Sequence, residues 1–138
     1  MQLILWAAIV VISVALDQIS KYIVVLKLKP VGTADFINGI LGFSYVENTG
    51  AAFSILEAHT WLLALVSLVM SALLAWALFK PLFRHPLGRF FLALVLAGAV
   101  GNLIDRALRG FVVDMFNVLF MNFAVFNVAD ICVVVGGI

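Results

Sequence analysis

A chain of 138 residues that is 66% hydrophobic and 11% charged, with a mean hydropathy of +1.26, carries more apolar surface than a water-soluble domain of that size can bury. The net charge of +1, with no basic run, excludes a nucleic-acid-binding surface, and a single cysteine, Cys132, excludes an internal disulfide and a cysteine metal cluster. What remains is one membrane domain over residues 1–138, with room for about four helical crossings of ~20 residues each.

The first apolar run covers residues 3–25. It has no Lys or Arg before Asp17 and outlasts the apolar core of a cleaved signal, so it reads as a retained membrane helix. In the connection 26–59, the segment 36–46 is rich in β-formers around Asn38-Gly39, a hairpin turn signal that predicts a small antiparallel sheet. Asn48-Thr49-Gly50 predicts a second turn, followed by the small-residue stretch 51–54, suited to close backbone approach. The second span covers 60–79 and ends at Lys80-Pro81. The connection 80–89 holds Lys80, Arg84 and Arg89 and no acid, which places it in the cytoplasm by the positive-inside rule. Both termini are then cytoplasmic, and the connections 26–59 and 109–125 lie outside.

The third span covers 88–108. The fourth begins near Phe126 and is still apolar at Ile138. That stretch gives ~20 Å of helix against a hydrocarbon core of ~30 Å, so a longer tail would be needed to complete the crossing. Helix is the expected state throughout, since lipid offers the backbone no hydrogen-bond partners.

Four of the seven acids, Asp17, Asp105, Asp114 and Asp130, lie in or beside apolar segments, where an ionisable group is costly. Asp17 and Lys21 are spaced for a helical ion pair, acid first. That pair is either purely structural or also positions a site. Gly98, Asn102 and Asp105 share one face of the third helix, as packing contacts or as the wall of a site. Arg106 beside them is placed to snorkel, to pair with an acid or to meet an anionic lipid head group. Asp114 sits in Phe111-Val112-Val113-Asp114-Met115-Phe116, too apolar for a solvated loop, and is expected to point inward at the interface. Asp130 follows Asn127 at the spacing of a helix N-cap and its N3 acid, so capping alone accounts for it.

Topology adds to that reading, because Asp114 and Asp130 both fall at the outer face near the start of the fourth helix. Two carboxylates that share a site hold one proton between them. The ionised member activates water, and the protonated member polarises a peptide carbonyl and then protonates the leaving amine. Other hydrolytic designs fit less well. No His-Glu-x-x-His motif is present, and His59 and His85 fall on opposite sides of the membrane. A Ser54–Lys21 dyad is opposed by Asp17, which favours the charged lysine. A transporter or proton-conducting subunit would place its carboxylates near mid-membrane, often with inverted repeats, and no repeat is visible. A non-enzymatic membrane subunit would use the acids only to cap and pair helices.

Five blocks in order resemble the bacterial lipoprotein signal peptidases, or type II signal peptidases. They are Asp17-Gln18-Ile19-Ser20-Lys21, the segment from Asn48-Thr49-Gly50 to Ser54, the segment from Gly98 through Asn102 to Asp105-Arg106, Gly110-Phe111-Val112-Val113-Asp114, and Phe126-Asn127-Val128-Ala129-Asp130. The resemblance implies an α-helical integral membrane protein with four transmembrane helices and a small antiparallel β-cradle on the non-cytoplasmic face. It implies Asp114 and Asp130 as the catalytic pair, with Asn48, Asn102, Arg106 and Asn127 around them and Asp17 and Lys21 nearby. It implies a monomeric aspartic endopeptidase of the bacterial inner membrane, without metal or other cofactor. Such an enzyme removes signal peptides from diacylglyceryl-modified prolipoproteins just before the lipidated cysteine, meets membrane lipid, and is inhibited by cyclic peptide antibiotics. One departure is Met115, where phenylalanine is frequent; an apolar, pliable replacement is expected to change little.

Overall fold

The computed structural model describes residues 2–50, 59–80, 82 and 85–138. The stretch 51–54, with Ser54, and Arg84 of the basic connection lie outside the described residues. Four helices and three strands follow in the order α1 (Gln2–Lys27), β1 (Thr33–Ile37), β2 (Leu41–Asn48), α2 (Thr60–Phe79), α3 (Pro86–Arg109), β3 (Val112–Val118) and α4 (Val128–Gly137). Helices α1, α2 and α3 are long and apolar enough to cross a membrane. Their outward faces leave Ile4, Val11, Leu73 and many other large apolar side chains exposed, as lipid rather than water requires. Helix α4 has 10 residues, ~15 Å of rise, as its short apolar run foretold.

The ends of these helices follow from local chemistry. Pro86 begins α3 with its ring at a position that needs no amide donor, and Gly110 ends it at φ 79°, in the left-handed region. Asn127 caps α4: its Oδ1 accepts from Asp130 N, while Asp130 Oδ2 accepts from Asn127 N, a complete capping box.

The sheet has the order β1-β2-β3, antiparallel throughout. Asn38-Gly39 makes the expected hairpin, with Gly39 at φ 72° and Ile40 N donating to Ile37 O at 3.0 Å. The third strand was not expected: the segment carrying Asp114 is strand β3, which pairs with the central strand β2. Val113 and Met115 on one face of β3 pack with Val24 and Leu28 at the end of α1. Asp114 alternates to the other face and lies opposite Val46 of β2. Backbone bonds between Phe126 and Phe116 tie the entry of α4 to the same strand.

A second core cluster, Trp6, Leu78, Ala93 and Leu96, joins α1, α2 and α3 towards the other end of the helices. The sheet, the C-terminal ends of α1 and α3 and the N-terminal end of α4 therefore share one end of the bundle, opposite the basic α2–α3 connection.

Candidate active site

Asp114 and Asp130 arrive on different elements and meet at one residue. Asn127 Nδ2 donates to Asp114 Oδ1 at 2.7 Å, and Asn127 N donates to Asp130 Oδ2 at 3.1 Å. Each acid has a further asparagine of its own. Asn48 Nδ2 donates to Asp114 Oδ2 at 2.9 Å, and Asn102 Nδ2 donates to Asp130 Oδ1 at 2.9 Å. Register explains the first of these: Asn48 stands two residues beyond Val46 on the same face of β2, diagonal to Asp114.

The three amides have their orientations fixed by what their oxygens hold. Asn48 Oδ1 accepts from Gly50 N at 2.8 Å in a tight turn, where Gly50 takes φ 98°. Asn127 Oδ1 is occupied by the capping box. Asn102 Oδ1 accepts from Lys21 Nζ at 3.0 Å and from Asn127 Nδ2 at 3.2 Å. All three NH2 groups are thereby turned towards the carboxylates.

The acids differ in environment. Asp114 is 2% exposed, whereas Asp130 is half-buried. Burial pushes Asp114 up from the usual carboxylate range to about 6, against the lowering effect of the Asn48 bond, with the Asp130 charge adding to the rise. Asp130 borders an apolar cavity of about 300 Å³ lined by Phe123, Phe126, Ile131, Val134 and Val135. Asp114 thus sits in the protein interior, whereas Asp130 is half-buried and borders a greasy groove.

Behind these two carboxyl groups lies a buried ionic cluster. Lys21, fully buried, contacts Asp17 at 2.9 Å and Asp105 at 3.2 Å. Its third hydrogen goes to Asn102, so no donor or lone pair is left for base chemistry and Lys21 cannot serve a Ser–Lys dyad. Arg109 Nε lies 3.9 Å from Asp105, which balances two acids with two bases. Arg106 Nη1 donates to Ser67 Oγ of α2 at 3.1 Å and lies within electrostatic range of Asp130, Asp114 and Asp105.

Every expected site residue among Asn48, Asn102, Arg106, Asn127, Asp17 and Lys21 is thus placed in or beside the cluster. Two participants, Gln18 and Ser67, were not expected, and a third, Asp105, was read as either a packing contact or part of a site wall. Asp105 is a full member of the ionic cluster, Gln18 Nε2 bridges Asp105 Oδ1 and the Gly101 carbonyl, and Ser67 holds Arg106. Gln18 carried the same signal as the acids, a polar side chain within an apolar span. Among the described residues no group of His, Cys, Asp and Glu has the arrangement of a metal site.

A family model described as signal peptidase (SPase) II matches residues 9–138. Proteins named lipoprotein signal peptidase are similar over most of the chain. That of Enterococcus faecalis is 40% identical, covering 97% of this chain and 83% of its own. That of Streptococcus pneumoniae is 42% identical, covering 94% and 85%. A solved bacterial membrane enzyme superposes with a TM-score of 0.87 at 29% identity, covering 96% of this chain and 86% of that one.

Proposed function

Because the chain belongs to the signal peptidase II family, we propose that it removes signal peptides from diacylglyceryl-modified prolipoproteins, with Asp114 and Asp130 as the catalytic pair. The observation that carries the dyad is the convergence of both carboxylates on Asn127, one through its side chain and one through its backbone. In this reading the buried Asp114 holds the shared proton and Asp130, at the groove, is ionised. Asp130 takes a proton from water as the oxygen attacks the scissile carbonyl carbon. Asp114 gives its proton to the carbonyl oxygen. Collapse of the tetrahedral intermediate breaks the C–N bond: one of its hydroxyls re-forms the carbonyl and returns its proton to Asp114, while the proton gained by Asp130 passes to the leaving amine, which restores the pair. The two acids titrate as one unit.

The substrate class fits the surroundings. A lipid-anchored precursor reaches the site by diffusing in the membrane plane, and the apolar groove beside Asp130 receives its apolar portion while water reaches the carboxylate. The basic α2–α3 connection lies at the opposite end of the bundle, which supports cytoplasmic termini and a site at the outer face of a bacterial membrane. The reading predicts cleavage of a diacylglyceryl-modified precursor immediately before the modified cysteine, with the unmodified precursor left intact. Mass spectrometry of the products decides it; equal cleavage of both precursors refutes the lipid requirement.

The dyad also predicts a pH dependence. An acid whose pKa is raised to about 6 loses its proton above that pH, so kcat/KM should decline on the alkaline side as the shared proton is lost. The Asn48 amide favours the ionised form of Asp114. Asn48→Ala should therefore move that limb to higher pH, while a shift to lower pH would contradict the assignment of the proton to Asp114.

A further inference from the structure

We propose that Lys21 is a positioning residue whose single ammonium group fixes both carboxylates of the dyad at once. The inference rests on the dyad reading above. Lys21 is buried with its three hydrogens directed at Asp17 Oδ2, Asp105 Oδ2 and Asn102 Oδ1, so it acts only through these partners. The other oxygen of Asp17 accepts from Ala129 N at 2.9 Å, the amide one residue before Asp130. Asp105 Oδ2 accepts from Val113 N at 2.9 Å, the amide one residue before Asp114. Two carboxylates gripped by one cation thus each hold the backbone beside one member of the dyad. Elements far apart in the sequence, α4 and β3, are referenced to a common point on α1.

The third contact sets an orientation. An ammonium group has no acceptor, so only the oxygen end of Asn102 can face Lys21. The NH2 end must then turn to Asp130 Oδ1. The same oxygen receives Asn127 Nδ2, which also serves Asp114. Without the cation, only the longer bond from Asn127 Nδ2, at 3.2 Å, still opposes a half-turn of the Asn102 amide that would present an oxygen to Asp130. Lys21 therefore holds a donor on the carboxylate that must stay ionised, and it does so without touching substrate.

Lys21→Met alone leaves two buried carboxylates unpaired and threatens the fold. The informative variant combines Asp17→Asn, Lys21→Met and Asp105→Asn. The new amide oxygens still accept from Ala129 N and Val113 N, and no acid in the cluster is left uncompensated. With a diacylglyceryl-modified precursor as probe, kcat should fall about 10- to 100-fold while KM stays within about threefold, the cost of a dyad displaced by a fraction of an ångström. A folded triple variant with wild-type kcat overturns the proposal, as does one whose loss lies in KM alone.

If the triple variant does not fold, Asn102→Asp decides. It keeps an oxygen for Lys21 but offers no NH2 to Asp130, so the proposal requires the same loss of kcat, and a wild-type kcat refutes it. Asp114→Asn and Asp130→Asn on the same probe separate the two readings. If either remains active, the dyad itself fails. If both are inactive and the folded triple variant is normal, only the role of Lys21 fails.

Discussion

Asp114→Asn and Asp130→Asn, made separately, are each expected to lower kcat for a lipidated precursor by about 10³- to 10⁴-fold, at the upper end of what a positioned acid or base contributes. Neither change should unfold the protein. Asparagine is nearly isosteric with aspartate, and at position 130 its side-chain oxygen still accepts from Asn127 N, so the capping box of α4 survives. That separates the catalytic role proposed for Asp130 from its role in the capping box. If the acid only capped the helix, Asp130→Asn would retain activity, whereas Asp130→Ala would lower stability by about 1 kcal/mol, as lost caps do. Helical circular dichroism and a melting temperature in detergent, measured beside turnover, distinguish the cases. Near-normal turnover in either asparagine variant would remove the dyad.

Helix α2 is at the residues where hydropathy places it, and α1 and α3 differ from the expected spans by two residues or fewer at each end, because lipid leaves an apolar run of ~20 residues few alternatives to helix. The Asn38-Gly39 hairpin and the Asn127–Asp130 capping box were legible because each is local chemistry at a fixed spacing. Strand β3 was not. Its sequence, Val-Val-Asp-Met-Phe-Asn-Val, has β-branched and aromatic residues, but the strand is buried on both faces near Asp114 and shows no alternation to read. The ionic cluster was half legible. Asp17 and Lys21 are one helical turn apart, so their pairing follows from spacing. The link from Lys21 to Asp105, and from Asp105 to Val113, depends on how α1, α3 and β3 pack, which no spacing within one element encodes. The family blocks named most of the polar participants but not how the bonds run between them.

The seam between α3 and α4 is where packing controls the chemistry most directly. A methyl group added at Gly98 would run into the Ala129 carbonyl oxygen and would lie 2.6 Å from Val133 Cγ2. Backbone cannot yield as a flexible side chain does, so α4 must move away, and Asp130 is the next residue after Ala129. Gly98→Ala is therefore expected to lower kcat/KM about 100-fold, the usual consequence of a ~1 Å misplacement of a reacting group. Helix propensity opposes this, since alanine in a helix is favoured over glycine by about 1 kcal/mol. Overpacking costs about 1–3 kcal/mol and should win, with a net loss of stability seen as a melting temperature lower by several degrees. Gly137→Ala supplies the control: it lies on α4, the helix that Gly98 of α3 touches, and a methyl group there meets nothing within 4 Å. It should gain slightly in stability and keep full activity. If Gly98→Ala behaved like Gly137→Ala, close approach of the two helices would not be what holds Asp130 against Asn102 and Asn127.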